Sequence, residues 1–249
     1  VKKLAIYGDS YAECDAPHGW SYLLQQTDPA GIDIFAEGGS GIDWSFNNFL
    51  NTHANYEKII FVVTTHGRIH YPIECTNKTT GTVTTFEHWP GISTIEWVIK
   101  NYTSKNNLLE DLFKFYIEFF HHQFAYVKNT NKAIICYIKA KRPDAVIIPA
   151  FRQASIGEMP DLELDLEYSE WSLYDISSQE IKQFATEHTW DNFEDPRCNH
   201  LTCESNKWVL KHVEARLNGQ FVNWDETQTP TFPDFKSLKS DGHRTLRTN

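Results

Sequence analysis

A serine, a histidine and an aspartate able to carry out acyl-transfer chemistry stand in two short stretches at opposite ends of this chain. Ser10 lies in "KKLAIYGDSYAE", residues 2–13, directly after an apolar run and behind Gly8 and Asp9. A serine hydroxyl is a weak nucleophile at neutral pH. It needs a base to take its proton and an acid to orient that base. The best source of both is "DPRCNHLTCESN", residues 195–206, which supplies Asp195 and His200. Gly, Asp and Ser also form ordinary turns, so the first stretch gains meaning only from the elements that hold it.

Those elements follow from hydrophobic periodicity. "KLAIY" at 3–7 is a strand, "GWSYLLQQT" at 19–27 a helix, and "IDIFA" at 32–36 a second strand that runs into the glycine-rich turn "EGGSG". "IDWSFNNFLNTH" is helical, and "KIIFVVTT" at 58–65 is a third strand, apolar on both faces as buried parallel strands are. Strand alternating with helix predicts an α/β protein with a parallel sheet. Ser10 then sits at the carboxyl end of the first strand, where open α/β sheets form their sites. Residues 68–105 carry no clear period and read as an insertion, with a hairpin around "TGTVTTFEHW". Residues 106–140 read as a long helical stretch or a helix pair, and "DAVIIPAF" at 144–151 as the fourth strand. Two helices are expected near the end, "SSQEIKQFATEH" and "CESNKWVLKHVEARLNG", the second stopping at Gly219. The organisation expected is one domain at 1–219, with the insertion and helical segment inside it, and an extended tail at 220–249.

Taken together, the GDS block after strand one, the glycine turn after strand two and the late Asp-to-His loop followed by "HLTCESN" resemble the SGNH (GDSL) hydrolases, including phage-encoded members. The resemblance covers roughly residues 1–66 and 143–218. It implies a flavodoxin-like three-layer α/β/α sandwich with strand order 2-1-3-4 and room for a fifth strand. It also implies an ester or acyl hydrolase, of esterase or deacetylase type, that works through an acyl-serine intermediate without a cofactor. Ser10 takes the nucleophile's place, His200 the base's and Asp195 the orienting acid's. The family spacing is Asp-x-x-His, whereas here Arg197 stands three residues before His200; Asp191 and Glu194 are the fallback orienters. The implied oxyanion hole is the backbone N–H of Ser10 and that of Gly41, with Gly39 a near rival. The family's asparagine after strand three is replaced by "VVTTHGRIH", which leaves Thr65 or His66 as the third donor.

The same residues admit other chemistry. Cys198, His200 and Cys203, with His188, have an irregular zinc-like spacing. Asp9 and His200 with nearby acids are the kernel of a metal-assisted phosphoesterase. A third possibility is a binding protein that retains the fold and uses the insertion, or the acidic-aromatic strip at 158–175, to hold a protein partner. His66 and His70 lie near the expected site; His121 and His122 fall in the long helical stretch.

The 249 residues carry a formal charge of −10. This opposes a broad nucleic-acid or anionic-membrane surface, and no run of apolar residues is long enough to span a bilayer. The partner that the resemblance implies is a small acyl ester. Five scattered cysteines and no signal-peptide pattern lead to the expectation of a cytoplasmic protein.

Overall fold

The computed structural model describes residues 1–13, 18–64, 68–89, 92–120, 124–150, 172–173, 176–178, 180 and 200–220. The acidic strip apart from Ser172 and Leu173, most of the helix expected at 177–188, His121, His122 and the tail beyond Gln220 lie outside the described residues.

Four strands form a parallel sheet: β1 (Lys2–Gly8), β2 (Ile32–Ala36), β3 (Tyr56–Val63) and β7 (Val146–Pro149). Their order is β2-β1-β3-β7. This is the order expected from the sequence, with β7 as the fourth strand. The strands alternate strictly. Leu4, Ile6, Ile60, Val62, Val146 and Ile148 point into one apolar cluster, and Ala5, Tyr7, Ile59, Phe61, Val63 and Ile147 into another. Side chains two apart share a face, so strands that are apolar throughout require helices on both sides.

They have them. On one face lie α1 (Trp20–Thr27) and α6 (Cys203–Leu217), which contribute Trp20, Leu24, Val209 and Val213. On the other lie α2 (Ile42–Thr52) and α5 (Phe124–Lys141), which contribute Ile42, Phe49, Ile134, Ile135 and Ile138. The protein is thus α/β, and the arrangement is compatible with a three-layer α/β/α sandwich.

The insertion is more ordered than its composition indicates. β4 (Ile69–Asn77) and β5 (Val83–Trp89) form the expected hairpin. A short third strand, β6 (Tyr102–Ser104), pairs with β4 to complete an antiparallel sheet of order β5-β4-β6. Two further helices, α3 (Ile92–Asn101) and α4 (Leu108–Phe115), help bury a separate cluster of Ile73, Cys75, Trp89, Ile95, Val98, Leu109 and Leu112. After α4 the chain winds through a π-helical turn at Tyr116–Phe120, which separates it from α5. The helical stretch is therefore a pair.

One side chain ties the bottom of the main sheet together. The Arg142 guanidinium donates to the carbonyls of His53, Tyr56 and Glu57 at 3.1, 3.0 and 2.6 Å and to both oxygens of Asp144. It thereby joins the end of α5 to the start of β3. The same hydrogen bonds hold the Asp144 carboxyl below its ordinary value. That share of stability is present above the ordinary carboxylate range near pH ~4 and fades as pH falls through the depressed pKa. It is small, because Asp144 is half exposed. Arg142→Met removes the donors from all three carbonyls. It is expected to lower stability by about 2–3 kcal/mol, since each bond to a charged group contributes about 1.5–3 kcal/mol and water recovers part of the loss. Urea unfolding would register this as a lower midpoint at unchanged m-value.

Candidate active site

The turn after β1 is built by all three residues of the GDS block. Gly8 is a glycine because of close packing: a Cβ there would lie 2.7 Å from the Cβ of Ala12 and 2.9 Å from that of Val62. Asp9 is fully buried. Its Oδ1 accepts the N–H of Tyr11 at 3.1 Å, and its carbonyl accepts the N–H of Ala12 at 2.8 Å. An aspartate bonding to the backbone two residues on is a ready-made turn. Its Oδ2 accepts from the hydroxyl of Thr64 at 2.9 Å and from Nη1 of Arg68 at 2.8 Å. The block is thus a turn and something more, because Ser10 emerges from it half-buried and paired.

The partner is His200. Its Nε2 stands 3.1 Å from Ser10 Oγ, across 190 residues of sequence. This is within reach for proton transfer. His200 holds a left-handed backbone, φ 63°, a region in which Asn, Asp and His are the commonest residues after glycine. The imidazole also packs against the ring of Tyr11, with centroids 5.1 Å apart.

The residues after His200 hold it in place. Leu201 is buried in the core and Thr202 is the N-cap of α6, its hydroxyl accepting the Ser205 N–H at 3.2 Å. Asn206, fully buried, uses both ends of its amide. Its nitrogen donates to the carbonyls of Leu201 and Thr202, each at 3.1 Å, and its oxygen accepts the N–H of Trp20 at 2.9 Å. The indole of Trp20 in turn donates to the Tyr11 carbonyl at 2.7 Å. A chain of hydrogen bonds therefore runs from the loop bearing the histidine to the turn bearing the serine. Asn206→Ala strands one donor, the Trp20 N–H, and one acceptor, the Leu201 carbonyl, because the Thr202 carbonyl keeps the backbone N–H of residue 206 at 2.9 Å. It is expected to cost about 2–4 kcal/mol, at about 1–3 kcal/mol for each buried group left unpaired, measured by thermal or urea unfolding.

Glu180 is the site residue that pattern alone does not find. It is fully buried, and it accepts from the Thr202 backbone N–H, the Thr202 hydroxyl at 2.7 Å and the Ser205 hydroxyl at 2.5 Å. A carboxylate at a helix N-terminus is favoured by the helix dipole and by the unpaired N–H groups there. Its carboxylate fastens the loop behind His200. Arg68 is the second residue missed. It is one-tenth exposed and pairs with buried Asp9, and its guanidinium also lies 3.4 Å from the carbonyl of Ser40.

The glycine turn after β2 is held to the serine turn. The hydroxyls of Ser40 and Ser45 both donate to the Gly8 carbonyl at 3.2 Å. Gly41 lies between them as the N-cap of α2, and a Cβ on it would lie 2.8 Å from the carbonyl oxygen of Arg68. Close approach of Arg68 therefore accounts for glycine at 41. Of the residues expected at the site, Ser10 and His200 are brought together, and Gly41 stands in the turn tied to Gly8. Thr65, His66, Asp195, Asp191, Glu194, Cys198 and His188 lie outside the described residues. Cys203 is the first residue of α6 and half-buried. His70 faces another histidine, His88, across the insertion hairpin.

The fold and the pair define an α/β protein with a four-stranded parallel sheet and a serine–histidine couple beyond the carboxyl end of its first strand. Among known proteins, no family model matches this chain and no curated protein matches it. Among the described residues no helix is long and apolar enough to cross a membrane.

Proposed function

We propose that this protein is a serine hydrolase of the SGNH (GDSL) type, with that family's flavodoxin-like sandwich, which cleaves an ester or a small acyl group. The observation that carries the reading is the 3.1 Å contact between Ser10 Oγ and His200 Nε2. In this reading Ser10 Oγ attacks the acyl carbonyl carbon while Nε2 takes the hydroxyl proton. The proton is then given to the departing alkoxide or amine, leaving an acyl ester on Ser10. A water molecule, deprotonated by the same nitrogen, attacks that ester and returns free Ser10 and a carboxylic acid. Asp195 is the proposed orienter of the imidazole. The N–H groups of Ser10 and Gly41, with Thr65 or His66, are the proposed oxyanion donors. Gly41 suits this role because it begins α2, where unpaired N–H groups favour developing negative charge.

The metal-assisted phosphoesterase reading has less support. Asp9 already receives Tyr11, Thr64 and the Arg68 cation, which neutralises the charge a metal ion would need. A non-catalytic binding protein remains the rival. Incubation with a fluorophosphonate separates the two. An activated serine attacks phosphorus and expels fluoride, so peptide mapping is expected to place the adduct on Ser10. A chain that stays unlabelled while an ordinary serine esterase reacts to completion would favour the binding protein.

A further inference from the structure

A second concentration of reactive side chains lies in the insertion hairpin. β4 and β5 pair His70 with His88. Their Nδ1 atoms stand 3.2 Å apart and their ring centroids 4.8 Å. With metal–nitrogen bonds of about 2.0–2.1 Å, two imidazole nitrogens on a tetrahedral zinc ion are separated by about 3.3 Å. The spacing observed is therefore that of two ligands on one ion. Glu87 completes the group: one ring nitrogen of each histidine and a Glu87 carboxylate oxygen all lie within 4.8 Å of one another.

Glu87 and His88 are neighbours on one strand, and a regular strand would send them to opposite faces. The hairpin carries a bulge here. The pairing passes from His70 opposite His88 to Ile73 opposite Phe86, so Tyr71 and Pro72 together face Glu87 alone. Pro72 suits that position, because it has no N–H to give to a ladder. The bulge lies on β4 and twists the hairpin locally, and a Glu87 carboxylate oxygen stands within 4.8 Å of the histidine ligand atoms.

Behind His88 is a further carboxylate. The His88 side chain is 7% exposed, and Glu37 Oε1 stands 3.1 Å from its Nε2. That buried nitrogen has no aligned hydrogen-bond partner. The Trp44 ring stands edge-on against the imidazole at 5.7 Å. A carboxylate behind the far nitrogen of a ligating histidine is the usual outer layer of a zinc site, where it fixes the tautomer and the ring's orientation.

We propose that His70 Nδ1, His88 Nδ1 and a Glu87 carboxylate oxygen bind one divalent transition-metal ion of the zinc class, with Glu37 receiving the Nε2–H of His88. Each imidazole coordinates through the lone pair of Nδ1 and carries its proton on Nε2. The proton that one Nδ1 shares with the other in the metal-free hairpin moves to Nε2 of its own ring or leaves to solvent. Two imidazoles and one carboxylate favour zinc, nickel or copper over magnesium or calcium. A fourth position is left for water. The ion clamps β4 to β5 and, through Glu37, braces the hairpin against the glycine turn that carries Gly41. The site is separate from Ser10 and His200, and its test does not use hydrolysis.

Zn2+ would be titrated calorimetrically into the metal-stripped full chain and into variants. Wild type is expected to bind an equivalent that His70→Gln loses, with affinity at this site down at least about 100-fold. Glu37→Gln is expected to weaken it about 10- to 100-fold, the usual effect of removing an outer-layer partner. Zn2+ should raise the melting temperature of wild type and leave that of His70→Gln in place. Co2+ in place of Zn2+ should give the visible bands of a near-tetrahedral site in wild type alone. Should His70→Gln fail to fold, Glu87→Gln on its exposed side chain must weaken Zn2+ at least tenfold. Equal stoichiometry and affinity in wild type and variants, or no binding by wild type, overturns the proposal.

Discussion

Replacing Ser10 with alanine is expected to lower kcat/KM for a small aryl ester by about 10^4- to 10^6-fold, the range seen when the nucleophile of a triad acting as a unit is removed. The atom lost is the one 3.1 Å from His200 Nε2. The nearby hydroxyls of Ser40 and Ser45 are both spent on the Gly8 carbonyl. The turn itself should survive. It is made by Gly8, by the bonds of Asp9 to Tyr11, Thr64 and Arg68, and by the indole of Trp20 on the Tyr11 carbonyl, none of which involves the Ser10 side chain. The melting temperature should therefore stay close to that of wild type while activity disappears. Activity within tenfold of wild type in a folded Ser10→Ala protein removes Ser10 from the chemistry.

The second large effect belongs to the base. His200→Asn is a sharper test than alanine, because asparagine accepts the left-handed backbone at φ 63° more readily than most residues. The variant removes the proton acceptor with little added strain. A loss of about 10^4-fold or more is expected. The shape of the pH profile should change as well. In wild type the rate should climb with pH and then level off within about pH 5–9, because only the neutral ring accepts a proton. In His200→Asn any residual rate should lack this step and grow only with hydroxide. Measuring kcat/KM for an acetyl ester across that range in both proteins decides the point. A pH profile of the same shape in both proteins would remove His200 as the base.

How the site was legible differs from residue to residue. β1, β2, β3 and β7 announce themselves as apolar runs, and their burial on both faces is the reason: a strand covered twice has no room for polar alternation. The end of α6 is equally plain, since Gly219 takes the positive φ of 75° that closes the helix. The insertion is the opposite case. β5 exposes Val83, Thr84 and Thr85, and β6 has only three residues, so neither shows an apolar period. Their sheet is held by a cluster whose members come from β4, β5, α3 and α4. That cluster exists only after the chain has folded back on itself.

The same division runs through the site. Local chemistry was enough to mark Ser10 as a reactive group at a strand's end and His200 as its candidate base. The residue types, and the parallel sheet that points such groups to one edge, are both written in short stretches of chain. What joins them is not local. Burial of α1 and α6 against one face of the sheet brings Trp20 to Asn206 and so sets the His200 loop beside the Ser10 turn. Arg68 and Glu180 show why pattern stops there. One neutralises Asp9 from 59 positions away, and the other holds Thr202 and Ser205 from 22 and 25. A buried carboxylate is stable only where donors surround it, and those donors are assembled by packing, with no spacing along the chain to record them.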